Sequence, residues 1–185
     1  RVEPAGACVA AIIGAGFIAV ALEYMDRPAI QICEAFAHAG YPLDVEAMLI
    51  IEVEGSEAEI EDMLRRIVAI AEPFRPRAMK VSQSEAESAA IWKGRKSAFG
   101  ATGRISDYIC MDGTIPTGQL PVVLQRIDEI VKHYGLGVAN VFHAGDGNLH
   151  PLVLFDINKP GEMEKAEKAG EEILKLCVEV GGCLT

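Results

Sequence analysis

The stretch Asn140–Phe155, NVFHAGDGNLHPLVLF, holds two of the chain's four histidines, His143 and His150, on either side of an Asp-Gly pair and between two apolar runs. Imidazole is the commonest metal ligand among side chains and titrates close to neutral pH. An Asp-Gly between β-prone runs is a strong hairpin signal, because a type I′ turn needs positive φ at both central residues. With Asp146 and Gly147 in those places, Gly145 pairs with Asn148, Ala144 with Leu149, and His143 with His150. Opposed residues share a face with Cβ atoms about 5 Å apart, a span from which two imidazoles can reach one ion. Phe142, Ala144, Leu149, Val153 and Phe155 then form the other, buried face, and Asn148 joins the histidines. Two readings stay open. The pair is a solvated cross-strand stack, the commoner fate of two histidines, or it is part of a metal centre. A catalytic centre needs three protein ligands, and with Asp146 committed to the turn the third must come from elsewhere.

Composition limits what such a site can serve. The chain has 185 residues, half of them apolar and a quarter charged, which suits one globular domain with a substantial core. Asp and Glu number 27 against 17 Lys and Arg, a formal charge of -10 with no basic run, so no nucleic-acid or anionic-membrane partner is expected. Five scattered cysteines, Cys8, Cys33, Cys110, Cys177 and Cys183, contain no C-x-x-C pair. They fit reduced thiols in a cytoplasmic setting and exclude a zinc ribbon. The longest apolar run, Ala7–Leu22, is shorter than the roughly 18 residues of a membrane span and is broken by glycines, so no membrane segment is expected. An arginine at residue 1 and the unfinished segment VGGCLT suggest a piece of a longer chain.

The elements that must carry the histidines follow from periodicity. LIIEVE, Leu49–Glu54, reads as a strand with Leu49, Ile51 and Val53 on one face and Glu52 and Glu54 on the other. Ser56-x-x-Glu59 and Ser84-x-x-Glu87 are capping boxes that open the helices IEDMLRRIVAIAE and SAAIWKGRKSAFG. A strand, YICMD, leads into the helix LPVVLQRIDEIVKHYG, stopped by Gly135, and a last helix closes at Gly181 and Gly182. The expected order is α-β-α-β-α-β-α-β-α-β-β-α. Polar strand faces and the adjacent final strands argue against a doubly wound parallel sheet. The expected class is α+β, an antiparallel sheet with helices on one face. GAGFIA, Gly14–Ala19, spells the dinucleotide fingerprint, but the alanine-rich GACVAAII before it reads as a helix and not the required strand.

VFHAGDGNLHP closely resembles the signature of the C-terminal domain of FAD-linked oxidases. That family includes the glycolate oxidase D subunit, D-lactate dehydrogenases and D-2-hydroxyglutarate dehydrogenase. ALEYMDRPAI, IWKGRKSAF and YICMDGTIP occur in the same order in glycolate oxidase D subunits, so the resemblance spans residues 1–185. It implies a ferredoxin-like cap domain following an N-terminal FAD-binding domain, with FAD and a divalent metal such as zinc as cofactors. His143 and His150 match the family's metal-ligand histidines, and Arg95 matches an arginine that clamps the substrate carboxylate. Arg95 and Asn148 are therefore the expected substrate-binding residues. Members continue with Gly-Glu-His-Gly, a metal-ligand glutamate and a catalytic-base histidine, so the base is expected beyond Thr185.

Two departures narrow the substrate. Cys110 stands where the hydroxyglutarate enzymes carry a lysine, and Phe99 where they carry a polar residue one turn after the clamp arginine. A small monocarboxylate such as glycolate or lactate is expected in place of a dicarboxylate. Trp92, near Arg95 and Lys96, reads as core rather than as a flavin platform. The expected function is the cap domain of a flavin-dependent 2-hydroxy-acid oxidoreductase, inactive in isolation and partnered by its own FAD-binding domain and companion subunits. The alternative is a free-standing ferredoxin-like module that binds a ligand or metal. A metallohydrolase is disfavoured, since no acid is placed as base beside the histidines.

Overall fold

A computed structural model describes residues 2–17 and 19–184. Arg1, Thr185 and Ile18 of the GAGFIA segment lie outside the described residues. The helices are α1 (Val2–Gly14), α2 (Arg27–Ala37), α3 (Glu57–Ala71), α4 (Glu85–Lys96), α5 (Ala98–Thr102), α6 (Leu120–His133) and α7 (Glu162–Glu179). The strands are β1 (Ala21–Asp26), β2 (Ala47–Glu52), β3 (Asp107–Cys110), β4 (Gly113–Thr114), β5 (Gly137–Phe142), β6 (Asn148–Leu149), β7 (Pro151–Phe155) and β8 (Cys183–Leu184). GACVAAII forms part of α1, as its alanines predict, so the glycine fingerprint follows a helix and not a strand. No strand separates α3 from α4. Pro73 and Pro76 interrupt the ladder there, leaving a 3-10 turn at Glu72–Phe74 and a loop.

The capping signals hold. Ser56 Oγ accepts from the Glu59 N–H while the Glu59 carboxylate reaches back to the Ser56 N–H, a complete box. At α4, Ser84 caps the Glu87 N–H at 3.2 Å, but the Glu87 carboxylate accepts from the N–H of Gln83 instead.

The class is α+β as expected, built on an antiparallel five-stranded sheet in the order β2-β1-β5-β7-β3, with a small sheet β6-β4-β8 beside it. The helices are not confined to one face. Leu22, Tyr24, Phe142, Leu149, Val153 and Phe155 pack against α1, α6 and α7 in the larger core. Met25, Ala139, Val141 and Leu152 point the other way and pack against Ala29, Ile30 and Cys33 of α2 and Ala98 of α5. The physical reason lies in β5 and β7, which are apolar at nearly every position and so present apolar surface to both sides. Each side must then be covered.

Asp26 ties these layers together. Its Oδ1 accepts from the Ala29 N–H at 3.0 Å and caps α2, while Oδ2 accepts from the backbone N–H and Nδ2 of Asn140 in β5 at 3.0 and 2.7 Å. Burial pushes this carboxyl up to about 7 against those three donors. A carboxyl raised above its unfolded value adds stability that is present at low pH and lost as pH rises through about 7. Asp26→Ala should cost about 2–3 kcal/mol of unfolding free energy by leaving three donors without an acceptor. The loss should be larger near pH ~5 than near pH ~8. Denaturant melts at the two pH values check this, and equal losses at both would contradict the account.

Candidate functional site

The site lies on the sheet face that carries α2, α4 and α5, at the end where β5 turns into β6. The turn is not the type I′ pair expected from Asp146-Gly147. Ala144–Gly147 form a four-residue loop, and among these residues only Gly147 has positive φ, at 70°. His143 stands opposite Asn148 rather than His150, and β5 continues with Asn140 opposite Pro151. The expected pairing is thus corrected by two residues. Because side chains alternate with period two, a two-residue shift keeps both histidines on one face. Their ring centroids lie 5.2 Å apart with planes at 89°.

The correction has a tertiary cause. The Gly145 N–H donates to the Leu22 carbonyl at 3.0 Å, and the Ile115 N–H donates to the Gly147 carbonyl at 2.9 Å. The loop is therefore gripped from both sides by backbone of β1 and of the segment after β4. A Cβ on Gly147 would sit 2.1 Å from the Ile115 carbonyl oxygen, so only glycine permits the approach.

Arg95 is buried, not an exposed helix arginine. Its Nε and Nη2 both donate to Glu23 Oε2, at 3.0 and 2.7 Å. Gly94 makes room for this: a Cβ there would meet the Tyr41 hydroxyl, which donates to the Ile91 carbonyl and holds α4 down. The second oxygen of Glu23, Oε1, lies 2.8 Å from Nδ1 of His143. In β1, Tyr24 pairs with Phe142 and Met25 with Val141, so one further step of that register puts Glu23 beside His143. Glu23 was not singled out by sequence. Its local signal is an acid set between Leu22 and Tyr24, on a strand whose other acid, Asp26, stands at the end.

His150 is more enclosed, with a side chain 12% exposed against 47% for His143. Its Nδ1 lies 3.7 Å from Asp112 Oδ2 and 4.0 Å from the Cys110 sulfur, and the Phe99 ring stands edge-on at 6.0 Å. Burial lowers the His150 pKa, outweighing the upward pull of Asp112. Burial also pushes the Cys110 thiol up to about 11, so it lines the site as a neutral group. The Asn148 Oδ1 is buried without a hydrogen-bond partner among the described residues. Trp92 is partly buried against the α2 core, as expected, with Lys96 Nζ 5.9 Å from its ring.

His143 thus has Nδ1 held by a carboxylate, an arrangement that typically leaves Nε2 as the ligand atom, whereas Nδ1 of His150 lies on the side of Asp112 and Cys110. Two nitrogens fall short of a centre. Among the described residues, no group of three or more His, Cys, Asp or Glu is placed to hold a metal ion. The structure brings together His143, His150 and Asn148, and links His143 to Arg95 through Glu23.

The model of the C-terminal domain of FAD linked oxidases matches residues 1–185. This chain belongs to that family. It is 51% identical over its whole length to glycolate oxidase subunit GlcD of Escherichia coli (strain K12) and 33% identical to that of Bacillus subtilis (strain 168). It is 24% identical to the mitochondrial D-lactate dehydrogenase [cytochrome] of Kluyveromyces lactis. The chain spans 37%, 40% and 33% of these relatives' lengths. The fold also matches 4-ethylphenol oxidase from Gulosibacter chungangensis, with a TM-score of 0.70 at 10% identity, over 98% of this chain and 43% of that one.

Two measurements probe the site directly. Gly147→Ala should cost on the order of 3 kcal/mol or more, since it adds strain at positive φ to a backbone clash; a melting point unchanged from the native protein would exclude the gripped-loop geometry. The His150 ring should titrate below the ordinary histidine value of about 6.5, and an NMR midpoint at or above that value would contradict its enclosure.

Proposed function

We propose that this chain is the substrate-facing cap domain of a flavin-dependent oxidoreductase that acts on a small 2-hydroxy acid of glycolate or lactate size. The observation that carries the proposal is the convergence, on one sheet face, of two imidazoles and a Glu23-linked guanidinium. FAD, held by a domain outside these residues, would accept a hydride from the substrate Cα. A divalent metal would be held through Nε2 of His143 and His150 with a further ligand that these residues do not contribute, and would polarise the hydroxyl and carboxylate oxygens.

The chain's own groups supply binding and exclusion. Glu23 occupies the Nε–Nη2 edge of Arg95, which leaves Nη1 to meet the substrate carboxylate. Asn148 offers a buried amide oxygen to the substrate hydroxyl. Cys110 and Phe99 wall the space beside His150 without a cation, which favours a short apolar substituent on Cα and disfavours a second carboxylate. The catalytic base lies outside these residues, so the 185-residue chain alone is inactive. Its partners are its own FAD-binding domain and companion oxidase subunits. Five cysteines without a disulfide among the described residues support a cytoplasmic setting, and among those residues no helix is long and apolar enough to cross a membrane.

Steady-state kinetics of the full-length protein test the reading. Arg95→Lys should raise KM for glycolate or lactate by about 10- to 100-fold, because an ammonium cannot serve both Glu23 and a carboxylate in the planar geometry of a guanidinium. His150→Ala should instead lower kcat by about 100-fold, since polarising the hydroxyl matters most as hydride departs. Normal metal content and near-normal kcat in His150→Ala would reduce the two histidines to packing side chains and overturn the proposal.

A further inference from the structure

Glu23 is a carboxylate only 5% exposed in the body of an antiparallel strand. Burying such a charge is unfavourable unless partners compensate it, and replacing a buried ion pair by apolar residues is often neutral or stabilising. Stability alone therefore does not explain the arrangement. Its two oxygens are divided: Oε2 takes two donors of Arg95, and Oε1 takes one nitrogen of His143. A glutamate that served only to anchor α4 on the sheet would have no need to reach a half-exposed imidazole.

We infer that Glu23 is the positioning residue of this site, setting the tautomer of His143 and the orientation of Arg95 at once. With an acceptor oxygen 2.8 Å away, Nδ1 of His143 must carry hydrogen, so the ring's lone pair sits on Nε2, the atom available to a ligand. The same carboxylate takes the Nε–Nη2 edge of Arg95 and thereby fixes the plane of the guanidinium. Histidine and arginine are thus locked relative to each other through one side chain. Glu23 touches neither substrate nor flavin in this account; it acts through its two partners. The kinetic part of the inference rests on the function proposed above, whereas the tautomer part does not.

The test uses the full-length protein with 15N-labelled histidine and three measurements: imidazole nitrogen shifts, Co2+ affinity by competition with a chelator, and KM for glycolate. In the native protein His143 should show a protonated Nδ1 and a bare Nε2. Glu23→Gln should disturb that tautomer, weaken Co2+ binding by about 10- to 100-fold and raise KM. Glu23→Asp, which keeps the carboxylate, should restore the tautomer in part. A native His143 protonated on Nε2 overturns the inference outright, even where the variants do not fold. So does a folded Glu23→Gln with native tautomer, Co2+ affinity and KM. A native protein that neither binds Co2+ nor oxidises any 2-hydroxy acid, yet shows the Nδ1-protonated tautomer, defeats the proposed function and leaves the positioning role standing.

Discussion

The buried contact of Glu23 with Arg95 is the constraint around which the histidine face is organised. A carboxylate and a guanidinium removed from water stabilise each other only when distances are short and the remaining donors are satisfied. Here one carboxylate oxygen takes two guanidinium nitrogens, at 3.0 and 2.7 Å. To keep that geometry, α4 must lie close on the sheet, which the Gly94 approach to Tyr41 permits. The β1–β5 register must put the acid next to His143, which the pairing of Tyr24 with Phe142 secures. Asp26, three residues further along β1, fastens the start of α2 and the middle of β5 by the same device of one carboxylate with several donors.

A second constraint acts on backbone rather than on charge. The Ala144–Gly147 loop lies between His143 and Asn148, with His150 two residues further on, and is held between β1 and the segment after β4. Because it is gripped on both sides, the histidine separation does not depend on the intrinsic preference of an isolated turn. A two-residue Asp-Gly turn would bring His150 opposite His143 but would leave the Leu22 carbonyl and the Ile115 N–H without these partners. The observed loop satisfies both, and Gly147 alone adopts positive φ.

Around His150 the chemistry is set by what is missing as much as by what is present. A neutral Cys110 thiol and the Phe99 ring stand beside the imidazole, and neither offers a charge. Enclosure also keeps the imidazole neutral further into the acid range, the form in which it can donate a lone pair to a ligand. One apolar environment thus sets both the protonation of His150 and the character of the space beside it.

The sequence by itself determined the helices with their capping residues at Ser56 and Ser84, the antiparallel α+β class, and the placing of both histidines on one sheet face. These rest on short-range physics: side-chain caps within a turn, apolar periodicity, and an alternation that survives a register shift of two. The family was legible too, in the residues from Val141 to Pro151. Only the tertiary structure decided that helices cover both faces, that the hairpin closes through four residues, and that Glu23 joins Arg95 and His143. The continuous apolar runs of β5 and β7 already hinted at the two-sided cover. The Glu23 contacts left no such trace, because they link residues 72 and 120 positions apart. An acid between apolar neighbours in a strand reads as unfavourable until the partner that neutralises it is folded against it.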